Sequence, residues 1–282
     1  MNPIALLSPA ELAGRLGEPD LVVLDGSYYL PAHQRDAEAE YAARHIPGAL
    51  RFDIDAVADG SSGLPHMLPS AEAFAEAAGA LGIANDTLVV AYDGMGIFSA
   101  PRVAWTFRLF GAERVAVLDG GLPAWLAEGR PTESGAPRPV APRRFVPRPD
   151  RSGVASREDV RRALADGSAQ IADARSASRF TGEEPEPRPG TRSGHMPGAI
   201  NLHYGSLLRE GRLRPPAEIA ETVRASGLDP DRPVITSCGS GVTAAILMLA
   251  LERIGKPAQA LYDGSWAEWG AGEDNPVATG AG

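Results

Sequence analysis

Cysteine is almost absent from this chain, since Cys238 is the only one among 282 residues. A single cysteine excludes an intramolecular disulfide framework and a zinc site built from several thiolates. The shortage also fits a reducing compartment, where proteins do not depend on disulfides. A lone cysteine is either an inert buried side chain or a reactive one, and its surroundings decide between the two.

Two further shortages limit the partners of the chain. No apolar run reaches the roughly 18 residues that a membrane-spanning helix needs. Positive charge is in deficit, because the net charge is -9 and the isoelectric point is about 5.1, which argues against a nucleic-acid-binding surface. The N-terminal residues lack the basic segment of a secretory signal. The sequence therefore favours a cytoplasmic enzyme with no membrane or nucleic-acid partner.

What the chain does have is a regular alternation of apolar strands and helices. Hydrophobic residues make up 44% of it, and its length suits two domains of about 140 residues each. Predicted strands include Leu21–Asp25 and Thr87–Tyr92, and predicted helices include Ala71–Leu81 and Ala100–Phe110. Strands that are apolar throughout are typical of a parallel sheet covered on both faces. We therefore predict an α/β fold with two tandem domains, each a parallel sheet flanked by helices on both faces.

The second half of the chain repeats landmarks of the first half. Three of them return in the same order 144 to 150 residues later: Asp25 as Asp173, the segment His45–Ala49 as His195–Ala199, and Asp119 as Asp263. Such similar offsets indicate a duplicated domain. The segment between the copies is rich in proline and arginine and has no periodicity, as in an extended linker. We place the first domain at 1–135, the linker at 136–153 and the second domain at 154–282.

The only cysteine begins the loop Cys238-Gly239-Ser240-Gly241-Val242-Thr243, which lies between an apolar run at 233–237 and another at 244–251. This order predicts a strand, a tight loop and a helix. Glycines at alternate positions let backbone N–H groups turn inward, and the helix adds the positive end of its dipole. Such a nest stabilises an anion, so we expect Cys238 to be a thiolate that acts as a nucleophile.

Only the second copy carries this nucleophile. At an offset of 145 residues, the loop that begins at Asp93 lies at the position of the Cys238 loop, and Asp93 replaces the cysteine. A carboxylate cannot carry sulfur, so we expect the first domain to have a structural and substrate-shaping role. A histidine occurs at the equivalent position of each copy, as His45 in the first and His195 in the second. Because the first copy has no nucleophile, we expect a structural role in a turn for both histidines.

These features resemble the tandem rhodanese-domain sulfurtransferases, and within that family the 3-mercaptopyruvate sulfurtransferases. The resemblance covers nearly the whole chain and rests on the following segments: the two His-x-Pro-Gly-Ala segments, Ser99–Trp105, Asp119–Gly121, Glu184–Arg188, the Cys238 loop and Asp263–Trp266. It implies transfer of sulfur from 3-mercaptopyruvate through a Cys238 persulfide to a small thiol, thioredoxin or cyanide, with release of pyruvate and without a metal or cofactor. The neutral residues Gly239 and Ser240 favour this donor, because thiosulfate-preferring members carry cationic side chains there.

The resemblance also implies roles for other side chains. Arg179 and Arg188 would bind the carboxylate and keto oxygen of the donor, a task suited to guanidinium groups. Asp55 would orient His66, His66 would exchange a proton with Ser240, and this relay would cross the domain interface. Ser240 would help to protonate the leaving enolate. The other loop residues would hold the persulfide, with a hydroxyl donor at the last of them: Gly239, Gly241, Val242 and Thr243.

Other interpretations remain open at this point. The nearest is a thiosulfate:cyanide sulfurtransferase. A cysteine phosphatase would need an arginine at the sixth position after the cysteine, where this chain has Ala244. A non-enzymatic scaffold would be expected to lack the cysteine in both copies.

Plainer roles are also open for four of the implied site residues. His66 could be an ordinary loop histidine. Asp55 could be a helix N-cap. Arg179 and Arg188 could pair with nearby carboxylates on a solvated face, which are Glu183, Glu184 and Glu186.

Overall fold

The computed structural model describes residues 2–281, which form two compact units. Each unit takes in most of one half of the sequence together with a short segment from elsewhere. Unit 1 comprises the described residues up to Ala58, Pro69–Asp150 and Glu210–Leu213. Unit 2 comprises Asp59–Leu68, Arg151–Arg209 and the described residues from Arg214 onward. The outermost residues of the predicted domains, Met1 and Gly282, lie outside the described part.

Unit 1 is built on one parallel sheet. Its strands are β1 (Ala5–Leu7), β2 (Leu21–Asp25), β3 (Leu50–Arg51), β4 (Leu88–Tyr92) and β5 (Arg114–Leu118). Its helices are α1 (Pro9–Ala13), α2 (Ala37–Ala43), α3 (Ile54–Val57), α4 (Ala71–Ala80), α5 (Ala100–Leu109) and α6 (Gly121–Ala127). The strand order β1-β5-β4-β2-β3 places β4 at the centre.

The central position of β4 explains its composition. All five of its residues are buried, and it pairs with β2 on one side and with β5 on the other. Val90, for example, lies beside Val23 of β2 and Ala116 of β5. A strand with two neighbours and helices on both faces has no solvent-facing side, which is why its sequence is apolar without alternation.

Unit 2 has the same plan. Its parallel sheet consists of β6 (Val154–Ala155), β7 (Gln170–Asp173), β8 (Ile200–Asn201), β11 (Val234–Ser237) and β12 (Ala260–Tyr262). Two short strands, β9 (Leu208–Arg209) and β10 (Arg212–Leu213), lie where the chain passes from unit 2 to unit 1. The helices are α7 (Arg157–Asp166), α8 (Ala177–Thr181), α9 (Pro216–Ala225), α10 (Ala244–Arg253) and α11 (Ser265–Trp269). Short 3₁₀ turns occur at Pro31–His33, Arg151–Gly153 and Tyr204–Leu207.

The two sheets share one topology. The order in unit 2 is β6-β12-β11-β7-β8, which equals the order in unit 1 when strands are matched along the chain. The central strand β11 therefore corresponds to β4. The α/β fold with two similar copies is confirmed, and each central strand leads directly into the loop that the sequence singled out.

Most of the segment predicted as a linker, residues 136–150, belongs to unit 1. Phe145 is buried and contacts Phe74 edge-on, with ring centroids 5.5 Å apart. The Arg143 N–H donates to the Gly79 carbonyl at 3.0 Å. A side chain at position 79 would place a Cβ only 2.6 Å from the Arg143 carbonyl oxygen, so a glycine is needed there.

Among the helices of residues 2–281, none has the length and apolar character needed to cross a membrane.

Candidate active site

Cys238 lies directly after β11 and ahead of α10, and only 2% of its surface is exposed. Its backbone is fixed by the turn that follows β12, the strand beside β11. The Cys238 N–H donates to Ser265 Oγ at 3.2 Å, and the Cys238 carbonyl accepts from the Trp266 N–H at 2.9 Å. Two adjacent strand ends therefore hold the cysteine in place.

The loop after Cys238 offers backbone donors. Gly241 has a φ angle of 77°, in the left-handed region that glycine adopts without strain. Among the residues that the structure describes, four of the loop amides donate to no acceptor: Gly239, Ser240, Val242 and Thr243. Together with the positive end of the ten-residue helix α10, these amides favour negative charge at the cysteine or on a sulfur atom bound to it.

The hydroxyl of Ser240 is paired with the imidazole of His66. Ser240 Oγ lies 2.9 Å from His66 Nδ1, and each residue is only 5% exposed. Within unit 2, the segment that carries the histidine is held by the Leu68 N–H, which donates to Asp263 Oδ2 at 2.8 Å. A hydroxyl and an imidazole at this distance can exchange a proton, and their burial keeps water from competing.

His66 belongs to unit 2, the compact unit that also contains Ser240. The contact is therefore made within one unit, although the two residues belong to different domains as predicted from the sequence. His66 has a φ angle of 59°, which is unusual for a residue other than glycine. Strain of this kind is common where a side chain must be held in one direction.

Asp55 lies on the short helix α3 of unit 1. Its amide donates to Asp53 Oδ1 at 2.9 Å, and Asp53 is the residue that caps the helix. The alternative in which Asp55 is itself the N-cap is wrong, because the capping carboxylate lies two residues earlier. The orientation of His66 by Asp55 stays a prediction.

Arg179 lies beside the Cys238 loop. A Cβ atom on Gly239 would be 3.1 Å from Arg179 Nη2. The Arg179 side chain is 15% exposed and forms an ion pair with Glu186, whose side chain is 3% exposed, at 2.5 Å. Arg179 does therefore pair with a nearby glutamate, but the pair is shielded beside the loop and does not lie on a solvated face.

Arg188, the second predicted substrate-binding arginine, is partly exposed. Its carbonyl accepts from the Thr191 N–H at 3.4 Å. Within residues 2–281, its guanidinium has no hydrogen bond and no ion pair. That guanidinium is available to a ligand, and its binding of substrate stays a prediction.

Arg175 is a buried charge that the sequence did not single out. Its Nη2 atom donates to Asp173 Oδ2 at 2.7 Å and to the Gly194 carbonyl at 2.9 Å, and its Nη1 atom donates to Glu186 Oε1 at 2.8 Å. The guanidinium also stacks on the ring of Trp266, 4.3 Å from its centroid. The recurrence of Asp173 in the repeat pointed to one end of this ion-pair chain, but no pattern pointed to Arg175.

Comparison with known proteins identifies the family. The rhodanese-like domain matches residues 8–128 and 156–271, which together make up most of the chain. The chain belongs to the rhodanese-like domain family. Both of its copies match, including the copy that has no cysteine.

Relatives of this rhodanese-like chain match it over most of its length. Human 3-mercaptopyruvate sulfurtransferase is 45% identical over 260 residues, which cover 91% of this chain and 87% of the human protein. Thiosulfate/3-mercaptopyruvate sulfurtransferase 1, mitochondrial, from Arabidopsis thaliana is 43% identical, over 94% of this chain and 76% of the relative. The crystal structure of SseA from Escherichia coli superposes with a TM-score of 0.86 at 39% identity, over 93% of this chain and 99% of SseA.

In the first rhodanese-like copy, the nest is filled by the chain's own carboxylate. Asp93 is buried, and its Oδ1 atom accepts from the Met95 N–H at 2.9 Å. Its Oδ2 atom accepts from three further amides, at 2.8 to 3.0 Å: those of Phe98, Ser99 and Ala100. Burial raises the pKa of Asp93, while the amide donors act in the opposite direction. The Asp93 carboxylate thus occupies the anion position of this loop.

Asp93→Asn is expected to lower the free energy of unfolding by about 2 kcal/mol. An asparagine amide can accept on one side only, so its NH₂ group would face at least one backbone donor that now has a carboxylate partner. Urea denaturation measures the loss, with the exposed Asp20→Asn in the same unit as a matched control. Equal stability of the two variants would show that the amides do not depend on the Asp93 carboxylate.

The paired histidines of the two rhodanese-like copies have equivalent structural contacts. His45 stacks on Tyr41 with ring centroids 4.2 Å apart, and its Nδ1 atom lies 2.8 Å from the Tyr41 carbonyl oxygen. His195 stacks on Phe180 at 3.8 Å, and its Nδ1 atom lies 2.9 Å from the Phe180 carbonyl oxygen. Both are buried. These contacts support the structural role expected for both.

Proposed function

We propose that this chain is a 3-mercaptopyruvate sulfurtransferase that carries sulfur as a persulfide on Cys238. The proposal rests on the buried Cys238, which begins a loop whose backbone amides include several that donate to no acceptor among the described residues. The next residue, Gly239, is neutral and lies beside Arg179. The names of the relatives include both 3-mercaptopyruvate and thiosulfate as donors, so the choice of donor depends on the loop.

In the first half-reaction, the Cys238 thiolate attacks the sulfur atom of 3-mercaptopyruvate. The carbon–sulfur bond breaks, and its electron pair leaves on carbon as the enolate of pyruvate. Ser240 helps to deliver the proton that converts the enolate to pyruvate, and His66 resupplies that proton across their 2.9 Å contact. The loop amides stabilise the persulfide that remains on Cys238.

Two arginines suit the charges of this donor. Arg179 and Arg188 would bind its carboxylate and keto oxygen, and withdrawal of electrons from the keto group helps the enolate to leave.

In the second half-reaction, a nucleophile attacks the outer sulfur atom and restores the Cys238 thiolate. The proposed acceptors are a small thiol, thioredoxin or cyanide.

We propose the cytoplasm as the site of action, because a chain with one cysteine fits a reducing compartment. The relative from Arabidopsis is named as mitochondrial.

Phosphatase activity is not proposed, because the position that would need an arginine is Ala244, the buried first residue of α10.

Steady-state rates with two sulfur donors test the proposed function. We expect kcat/KM for 3-mercaptopyruvate to exceed that for thiosulfate by about 10²-fold, since the thiosulfate dianion would meet no cationic side chain at positions 239 and 240. Cyanide serves as the common acceptor, and pyruvate and thiocyanate are measured. A higher kcat/KM for thiosulfate would make the chain a thiosulfate:cyanide sulfurtransferase instead.

A further inference from the structure

Glu186 connects the buried interior of unit 2 to Arg179 at the Cys238 loop. Its Oε1 atom accepts from Arg175 Nη1 at 2.8 Å and from Arg179 Nε at 3.2 Å. Its Oε2 atom accepts from Arg179 Nη2 at 2.5 Å. Arg175 is in turn held by Asp173, and the Arg175, Asp173 and Glu186 side chains are each 3% exposed or less. Arg175 therefore holds the Glu186 carboxylate in place, and the carboxylate contacts Arg179 from this fixed position.

This ion pair leaves one edge of the Arg179 guanidinium unused. Glu186 takes the side edge, formed by Nε and Nη2. The end edge, formed by Nη1 and the second hydrogen of Nη2, has no acceptor among the described residues. An end edge is one of the two bidentate surfaces with which a guanidinium binds a carboxylate. Arg179 can therefore bind a second carboxylate without releasing the first.

The unused edge lies next to Gly239. A Cβ atom there would be 3.1 Å from Nη2 and 3.9 Å from Nη1 of Arg179. The absence of a side chain at Gly239 therefore leaves room for the guanidinium one residue from the reactive cysteine. A cationic side chain at the same position would meet the charge of Arg179, which gives a physical reason for a neutral loop.

The first copy contains the same arrangement around its own loop. Arg35 Nη2 donates to the Gly94 carbonyl at 3.2 Å, and Gly94 corresponds to Gly239. Glu40 holds Arg35 by its side edge, with Nε–Oε1 at 2.7 Å and Nη2–Oε2 at 2.6 Å. Tyr29 also donates to Glu40 at 2.7 Å, so that Glu40, like Glu186, accepts from a second side chain besides the arginine. A glutamate that holds an arginine at the first glycine of the loop is therefore a feature of both copies.

We infer that Glu186 is a positioning residue that orients Arg179, so that the end edge of its guanidinium receives the carboxylate of the sulfur donor beside Gly239. This inference rests on the proposed function, because it takes a keto acid as the donor. Glu186 itself does not touch the substrate. Its role is to fix the direction of the arginine that does.

Glu186→Gln separates positioning from folding. A glutamine oxygen can keep the contacts that Oε1 makes with Arg175 and Arg179, whereas its NH₂ group faces Arg179 Nη2, where Oε2 now accepts. We expect KM for 3-mercaptopyruvate to rise about 10- to 50-fold with kcat changed less than about threefold, since one charge-assisted contact is lost. Competitive inhibition by pyruvate, which retains the carboxylate, should weaken by a similar factor.

Glu184→Gln is the matched control, because Glu184 is exposed in the same segment and accepts from Ser178. It should leave KM unchanged. The double variant Arg179→Met with Glu186→Gln should have the same KM as Arg179→Met alone, because Glu186 acts through that arginine. Thermal unfolding of every variant shows whether the fold is retained.

The outcomes separate this inference from the proposed function. If the wild type uses 3-mercaptopyruvate and Glu186→Gln has the KM of Glu184→Gln, the inference is wrong and the function stands. A Glu186→Gln effect that persists fully in the Arg179→Met background also overturns it, since the effect would then be structural. If the wild type fails to release pyruvate from 3-mercaptopyruvate, the proposed function itself is wrong.

Discussion

Replacement of Cys238 by serine is expected to slow the release of pyruvate from 3-mercaptopyruvate on the order of 10⁴-fold. A serine hydroxyl is nearly the same size, but at neutral pH it is not ionised and does not attack sulfur as a thiolate does. The cysteine backbone is held by Ser265 and Trp266, so the loop should keep its shape in the variant. The loss should therefore be chemical rather than structural.

Three measurements on Cys238→Ser support this interpretation. Pyruvate release gives the rate, thermal unfolding gives the stability, and weak binding of pyruvate reports the integrity of the substrate site. We expect only the first to change greatly. Pyruvate release at the wild-type rate would mean that no covalent step occurs at Cys238, and the proposed mechanism would have to be abandoned.

Loss of the proton relay is expected to slow pyruvate release about 10²-fold, the contribution typical of a positioned acid or base. Ser240→Ala removes the hydroxyl, and His66→Asn removes the imidazole. Asparagine is chosen because it tolerates the left-handed backbone of His66, whose φ angle is 59°. Both variants should keep the loop amides that stabilise the persulfide, because these donors belong to the backbone.

The two relay variants should not be additive. Because His66 acts through Ser240, the double variant should release pyruvate about as slowly as Ser240→Ala alone. Ser226→Ala is the control in the same unit, since its hydroxyl only donates to the Val223 carbonyl at the end of α9. Independent losses that multiply in the double variant would contradict a relay through the 2.9 Å contact.

The central strands and their loops could be predicted from local sequence. β4 and β11 each begin one residue after the predicted start, and short apolar runs of this length are typical of buried strands. The replacement of Cys238 by Asp93 could likewise be predicted, since the duplication aligns the two loops. What the alignment did not reveal is that the Asp93 carboxylate fills its own nest with four backbone donors.

Contacts between distant side chains could not be predicted in the same way. The local sequence allows Glu186 to pair with arginines on a solvated face, whereas its side chain is only 3% exposed and lies between Arg175 and Arg179. Burial of a charge depends on the tertiary packing around it, and the local sequence Pro-Glu-Pro-Arg does not contain that information. The contact between His66 and Ser240 was suggested by resemblance alone, because 174 residues separate them.

The most direct test of the account is mass spectrometry of the peptide that contains Cys238 after brief mixing of the protein with 3-mercaptopyruvate. Since Cys238 is the only cysteine, any added sulfur can be assigned to it. We expect this peptide to gain the mass of one sulfur atom, in amounts equal to the pyruvate released, and to lose it when a thiol acceptor is added. Release of pyruvate with no sulfur on Cys238, or no sulfur on Cys238 with any donor, would contradict this expectation.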